Sequence, residues 1–193
     1  QIYHFIDENE DIVRPFNYPP DTPGRGWTIT EADHRQVAVV VAMGNVYVST
    51  LTSPFQEIMG IVDDLHAQGV RTIIVDIHAE ATSEKLAFAR YLDGKVSAVI
   101  GTHTHIPTAD AQILPAGTAY QTDVGMVGPV DSVIGMKVEA SINRFLTQRR
   151  VKFQQSEDDA FLFQAVLLEI DGDGRAKHIE RIDKRMTIER TRI

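Results

Sequence analysis

Two short apolar runs with a helix between them constrain this chain most. Thr72-Ile73-Ile74-Val75-Asp76-Ile77 and Val96-Ser97-Ala98-Val99-Ile100 are nearly continuous in apolar residues, many of them β-branched. That is the composition of strands covered on both faces. Between them Ser83-Glu84-Lys85-Leu86-Ala87-Phe88-Ala89-Arg90-Tyr91-Leu92 reads as a helix, with Thr82 or Ser83 as its cap and Asp93-Gly94 as its end. Residues 72–101 therefore have the length of a strand-helix-strand crossover between parallel neighbours. A right-handed crossover places both C-terminal strand ends on one sheet edge, where α/β proteins bind ligands. The fold class that follows is α/β.

Both strands run into histidine. His78 follows the first, and Gly101-Thr102-His103-Thr104-His105 follows the second. The crossover brings His78 and His103 near each other, and if extended backbone continues past residue 101, alternation turns His103 and His105 to the same side. A single histidine at a strand end is most simply a local hydrogen-bonding group. Three at one edge point to a metal centre, because imidazole is the commonest nitrogen ligand. The other histidines have plainer readings: His34 lies in a polar turn, and His66 lies beside a helical stripe on the surface.

The rest of the chain supplies a frame for that edge. Gln1 leads straight into Ile2-Tyr3-His4-Phe5-Ile6 as though a helix were already under way, so the expectation is a start inside a larger protein. Arg14-Pro15-Phe16-Asn17-Tyr18-Pro19-Pro20-Asp21-Thr22-Pro23-Gly24 holds four prolines in eleven residues and must be an irregular loop. Residues 27–30 and 37–42 flank a polar stretch in the pattern of a hairpin. Phe55, Ile58, Met59, Val62 and Leu65 fall at helical spacing ahead of Gly69. Short strands are expected at 112–114 and 118–122. Asp123-Val124-Gly125-Met126-Val127-Gly128-Pro129 matches no nucleotide-binding fingerprint and reads as a structural loop. A helix over 137–146 would turn Val138, Ile142, Phe145 and Leu146 inward. Residues 151–155, 160–170 and 176–182 read as antiparallel strands, the last two joined at Asp171-Gly172-Asp173-Gly174, a turn that lacks the remaining ligands of a calcium loop.

Composition bounds the chemistry. At 193 residues and 43% hydrophobic, the chain can bury a core as a single domain over 1–193, or most of one. A net charge of −8 argues against a general nucleic-acid surface, which needs clustered Lys and Arg. A small phosphorylated substrate stays compatible, since a metal ion supplies positive charge locally. With no cysteine, any metal must be held by N and O ligands. No apolar run reaches the roughly 20 residues that span a bilayer. These features suit a soluble, cytoplasmic protein with no membrane partner, and they leave a homo-oligomer open.

Several segments together closely resemble the YmdB-like branch of the bacterial calcineurin-like metallophosphoesterases. They are Val75-Asp76-Ile77-His78-Ala79-Glu80-Ala81-Thr82-Ser83-Glu84-Lys85, Val99-Ile100-Gly101-Thr102-His103-Thr104-His105, Thr108-Ala109-Asp110 and Thr122-Asp123-Val124-Gly125-Met126-Val127-Gly128-Pro129. Arg14-Pro15-Phe16-Asn17-Tyr18-Pro19 and Asp131-Ser132-Val133-Ile134-Gly135 extend the likeness through nearly the whole chain. The resemblance implies a four-layer α/β/β/α metallophosphoesterase sandwich, here lacking its first strands and helices. It also implies two divalent metal ions, iron or manganese, and hydrolysis of phosphodiesters including 2′,3′-cyclic nucleotides. By motif, His78 and His103 would bind one metal and His105 the other; Asn17 and Thr104 are candidates for part of the substrate wall. The family's first Asp, its bridging Glu and its Asn-His pair have no counterpart here, so the general-acid His is expected upstream of Gln1.

Two other readings stand beside this one. The incomplete ligand set also suits a non-catalytic assembly or regulatory module that keeps the fold. The paired-histidine motif is shared with a capsule-synthesis group, against which the Ala81-Thr82-Ser83-Glu84-Lys85 run speaks. Asp76, Glu80, Asp110 and Asp123 could each replace a missing carboxylate ligand or orient a liganding imidazole.

Overall fold

The computed structural model describes residues 2–48 and 51–187. Helix α1 (Ile2–Glu8) is followed by the proline-rich loop and then by β1 (Trp27–Ala32), antiparallel to β2 (Arg35–Met43). Asp33 and His34 turn this hairpin with φ of 52° and 60°, the left-handed pair that a two-residue turn matching strand twist requires. Helix α2 (Pro54–Ala67) leads into β3 (Thr72–His78), and α3 (Thr82–Tyr91) carries the chain to β4 (Ala98–Thr102). β2, β3 and β4 are parallel neighbours, with His78 opposite Thr102 in the register. β6 (Ala119–Gln121) adds parallel to β4, and β5 (Gln112–Ile113) closes the edge antiparallel to β6. The order is β1-β2-β3-β4-β6-β5, and the expected crossover lies at its centre.

Both faces of the central strands are covered, as their unbroken apolar composition requires. On one face Ile58, Val62 and Leu65 of α2 and Phe88 and Ala89 of α3 pack on Val40, Ile73, Val75, Ile77 and Val99, none more than 1% exposed. Each of these side chains other than Ala89 contributes about 1.5–3 kcal/mol by leaving water. On the other face Ile74, Ala98, Ile100 and Ala119 meet Val166, Leu168 and Ile179. These last belong to a second sheet, β7 (Val127–Pro129), β8 (Ala160–Ile170) and β9 (Ala176–Thr187), antiparallel throughout. The described layers are thus helix, sheet, sheet. The outer face of the second sheet still exposes Phe163 and Leu167.

Four local expectations change. Ala81 precedes α3 in the cap position and offers no side-chain bond, so neither Thr82 nor Ser83 caps the helix. Residues 151–155 form no strand, and only Gln155 pairs, with Met136. The last strand runs on to Thr187. The fourth change is the largest: in α4 (Val138–Thr147) the stripe expected to face inward is exposed, Ile142 by 50%, Phe145 by 77% and Leu146 by 79%. The buried residue of that helix is Ser141, whose hydroxyl bonds back to Lys137 O at 3.1 Å. Periodicity identifies an amphipathic helix correctly but cannot say which side the rest of the chain occupies.

Candidate metal centre

The C-terminal ends of β3 and β4 form one edge, and extended backbone stops there. His103 has φ of 108° and His105 of 63°, so strand alternation does not govern where their rings point. Such positive φ values cost about 1–3 kcal/mol each for residues with a Cβ and persist only where surrounding bonds fix them. Asp123 does much of that fixing. Its carboxylate accepts the Thr104 N–H at 2.9 Å and the Gly125 N–H at 3.0 Å, and receives the Lys85 ammonium at 3.0 Å. Lys85 also donates to Thr102 O at 2.6 Å. Both charged side chains are wholly buried, which is tolerable only because nearly every polar atom of the pair is bonded. Burial alone would raise the Asp123 pKa, but the Gly125 and Thr104 amides and the Lys85 ammonium outweigh it and hold the carboxyl below the usual range. Gly101 completes the fit, since a Cβ there would stand 1.7 Å from Thr122 O.

Within this frame the first two histidines meet. His78 Nε2 and His103 Nδ1 are 3.0 Å apart, with the rings edge to face. Behind His78, Thr102 Oγ1 donates to Asp76 Oδ1 at 2.8 Å and lies 3.1 Å from His78 Nδ1. A hydroxyl that spends its proton on a carboxylate can only accept from the ring. The proton of neutral His78 is therefore on Nδ1, and the Nε2 lone pair faces His103. His103 Nε2 in turn lies 3.0 Å from Glu80 Oε2. Burial, and then the neighbouring His103, hold the His78 pKa below its ordinary value and keep the ring neutral. Burial pushes the Asp76 carboxyl upward, against the opposing pull of Thr102 and Lys85.

Two imidazole nitrogens at about 2.1 Å from one metal ion would stand about 3.0–3.4 Å apart for angles between square and tetrahedral. The 3.0 Å His78–His103 separation fits such a pair. His105 donates from Nδ1 to Ile134 O at 3.2 Å, leaving its Nε2 lone pair free in the neutral ring. It is near enough to His78 to contribute to the lowering of that group's pKa. Among the described residues no group of three or more His, Asp or Glu is arranged to hold a metal ion. The chain therefore brings a pair of nitrogens together and a third close by, without closing a complete site from its described residues.

The remaining candidates separate by position. The Asn17 side chain is bonded at both ends: Nδ2 donates to Met43 O and Thr52 O, and Oδ1 accepts from Met43 N. With Asn17 only 1% exposed, these bonds anchor the end of β2 beside His78. Thr104 is half-buried and at the edge itself, its hydroxyl making a long 3.4 Å bond to Ile106 O and also turned toward the Asp123 carboxylate that its amide bonds. Asp110 sits further back, bonded to the Thr122 amide and hydroxyl. Its own burial opposes, but the Thr108 and Thr122 bonds prevail and lower its pKa. Of the four acids, then, Glu80 touches an imidazole directly, Asp76 acts through Thr102, Asp123 holds the loop, and Asp110 touches no histidine. Lys85 escaped the sequence reading although a signal was present: with Phe88 and Ala89 it forms the buried i, i+3, i+4 face of α3, an unusual place for an ammonium.

Comparison with known proteins agrees along nearly the whole chain. Residues 1–182 match the profile of the family described as YmdB-like protein. A Bacillus subtilis protein named 2′,3′-cyclic-nucleotide 2′-phosphodiesterase is 45% identical over 185 residues, which cover 94% of this chain and 69% of that relative. Among solved structures, a hypothetical protein from Thermus thermophilus superposes with a TM-score of 0.87 at 42% identity, covering 95% of this chain and 71% of that one. A structure titled as a novel phosphatase, from Mycoplasma pneumoniae, gives 0.85 at 32% identity, covering 96% and 68%. No described helix is long and apolar enough to cross a membrane.

Proposed function

The chain belongs to the YmdB-like family, and on that footing we propose that it forms the histidine-bearing wall of a metal-dependent phosphodiesterase acting on small phosphodiesters, 2′,3′-cyclic nucleotides among them. The observation that carries the reading is the His78–His103 pair, 3.0 Å apart at the ends of adjacent parallel strands. The name of the B. subtilis relative supports the substrate class. In this reading His78 and His103 hold one divalent ion, iron or manganese, and His105 the other. When bound, the two ions would supply Lewis acidity at the phosphoryl group. The chain's own residues prepare for that. Asp76 and Thr102 keep the His78 proton on Nδ1, Glu80 steadies the far nitrogen of His103, and the Lys85–Asp123 pair fixes the loop between His103 and His105. Thr104 lines the substrate side, with Asn17 anchoring the neighbouring strand end.

The remaining ligands and the group that protonates the leaving oxygen would come from the part of the protein that lies outside this chain in its longer relatives. The same part would supply the fourth layer of the sandwich over the exposed outer face of the second sheet. The test is hydrolysis of 2′,3′-cyclic AMP with Mn²⁺ or Fe²⁺ by the full-length product of the gene that encodes this chain. His78→Ala and His103→Ala should each reduce the rate by orders of magnitude. Undiminished activity in either variant sinks the proposal. Failure of the parent protein to bind metal or turn over substrate favours the assembly-module reading instead.

A further inference from the structure

At the opposite edge of the six-stranded sheet, where β3 and β4 begin, lies a cavity of about 480 Å³. That volume is within the range that holds a small organic ligand, ~300–1,000 Å³. His66, Arg71, Lys95, Gly117, Asp173 and Arg175 are among its lining residues. They come from five separate places: the last turn of α2, the residues just before β3 and just before β4, the β5–β6 turn, and the β8–β9 turn.

The walls are fixed by backbone. Gly174 has φ of 83°, and a Cβ there would stand 2.0 Å from Arg71 O, so the β8–β9 turn is seated directly against the start of β3. Ala176 N donates to Gly117 O at 3.0 Å, which ties the same turn to the β5–β6 turn. The Arg175 stem runs along Gly117, its Cβ, Cγ and Cδ each 3.6 Å from where a Gly117 Cβ would be. The Lys95 ammonium is steadied by Tyr91 O at 3.1 Å and by the Tyr91 ring at 4.7 Å.

The charge of this cavity runs against that of the molecule. The chain has 27 acidic residues against 19 Lys and Arg, yet three cationic side chains and His66 line this space with only Asp173 opposite. Among the described residues neither the Arg71 nor the Arg175 guanidinium has an ion pair or a side-chain hydrogen bond, a state shared with surface arginines such as Arg35 and Arg90; what sets these two apart is that they line one cavity. Two unpaired guanidiniums on one cavity repel each other unless an anion lies between them. Their planar forks match the oxygens of a phosphate two at a time.

We infer that this cavity binds a small phosphate-bearing anion at a site separate from the histidine edge. β3 separates the two by roughly 20 Å, its seven residues at about 3.3 Å each. The size of the cavity leaves room for an organic group beside the phosphate.

The test is a titration of the ¹⁵N-labelled intact chain in EDTA, with adenosine 5′-monophosphate as probe and adenosine as the uncharged control. Saturable shifts should appear at the Arg71, Gly117 and Gly174 amides with the monophosphate and not with adenosine. Arg71→Gln combined with Arg175→Gln should weaken binding by about tenfold or more, and the corresponding double Lys variant, which keeps charge but not the fork, should fall between. Unchanged amide dispersion in the variants will show that they fold. Three results would each overturn the inference: shifts confined to residues 101–105 and 123–125, equal binding by the Gln variant, or no saturable shift up to about 10 mM.

Discussion

Replacing Thr102 by Val tests the bond chain behind His78 with little change of volume. The hydroxyl bridges Asp76 Oδ1 at 2.8 Å and His78 Nδ1 at 3.1 Å. Valine leaves both partners without their bond in a partly buried site, and a stranded buried polar group costs about 1–3 kcal/mol. Because both groups keep some exposure, the expected loss is about 2 kcal/mol, or about 4–8 °C in Tm for a domain of this size. The loss should depend on pH. The Asp76 pKa is already raised in the folded state by burial, and Thr102 opposes that rise. An acid whose folded pKa lies above its unfolded one favours folding less as pH rises between the two values. Removing Thr102 widens that window, so the variant should lose more stability at neutral pH than near pH 4. Urea denaturation at several pH values measures this directly. The ¹⁵N shifts of the His78 ring in the metal-free protein should change from a pure Nδ1–H form to a tautomer mixture, and Thr102→Ser should restore the parent spectrum. An unchanged tautomer together with unchanged stability would refute the reasoning.

Breaking the Lys85–Asp123 pair at one end should cost more. Asp123→Asn leaves a buried ammonium uncompensated, at about 3–5 kcal/mol, whereas Lys85→Met with Asp123→Leu should cost less than either single change, as a double-mutant cycle will report. The Asp123 carboxyl has a depressed pKa in the fold. Its contribution is therefore complete above the ordinary carboxylate range and disappears as pH falls through the folded value, so the Asp123→Asn penalty should shrink below about pH 4. Gly101→Ala should destabilise by several kcal/mol, at the upper end of the ~1–3 kcal/mol typical of overpacking, because the atom it meets is backbone rather than a movable side chain; failure to lower the denaturation midpoint would contradict the close approach. Phe145→Ala, by contrast, should change stability by no more than about 0.5 kcal/mol, since that ring is 77% exposed.

The parts of the fold that were legible in the sequence are those set by short-range patterning. The runs at 72–77 and 96–100 and the helix between them give the parallel crossover, because buried parallel strands need unbroken apolar composition and a helical return. The hairpin around the polar stretch 31–36 and the turn at 171–174 are likewise written in local residue types, although the structure narrows the first to a two-residue turn at Asp33-His34. The exposed stripe of α4 was not legible, since the helical period is the same whether a partner covers that face or water does. Lys85 was half legible: its spacing with Phe88 and Ala89 places it inside, but no local signal names Asp123, 38 residues away, as its counter-charge.

By itself, then, the sequence determined that His78 and His103 would reach the same sheet edge, because strand direction and crossover hand leave no other arrangement. Only the tertiary structure decided what those rings can do there. The turn after β4 replaces strand alternation by positive φ at His103 and His105, held by a carboxylate from a later loop. The bond that places the His78 proton joins residues 24 and 26 positions apart. Contacts of that kind follow from the register of paired strands to within a single residue, and a one-residue slip would turn the same side chains to the opposite face of the sheet.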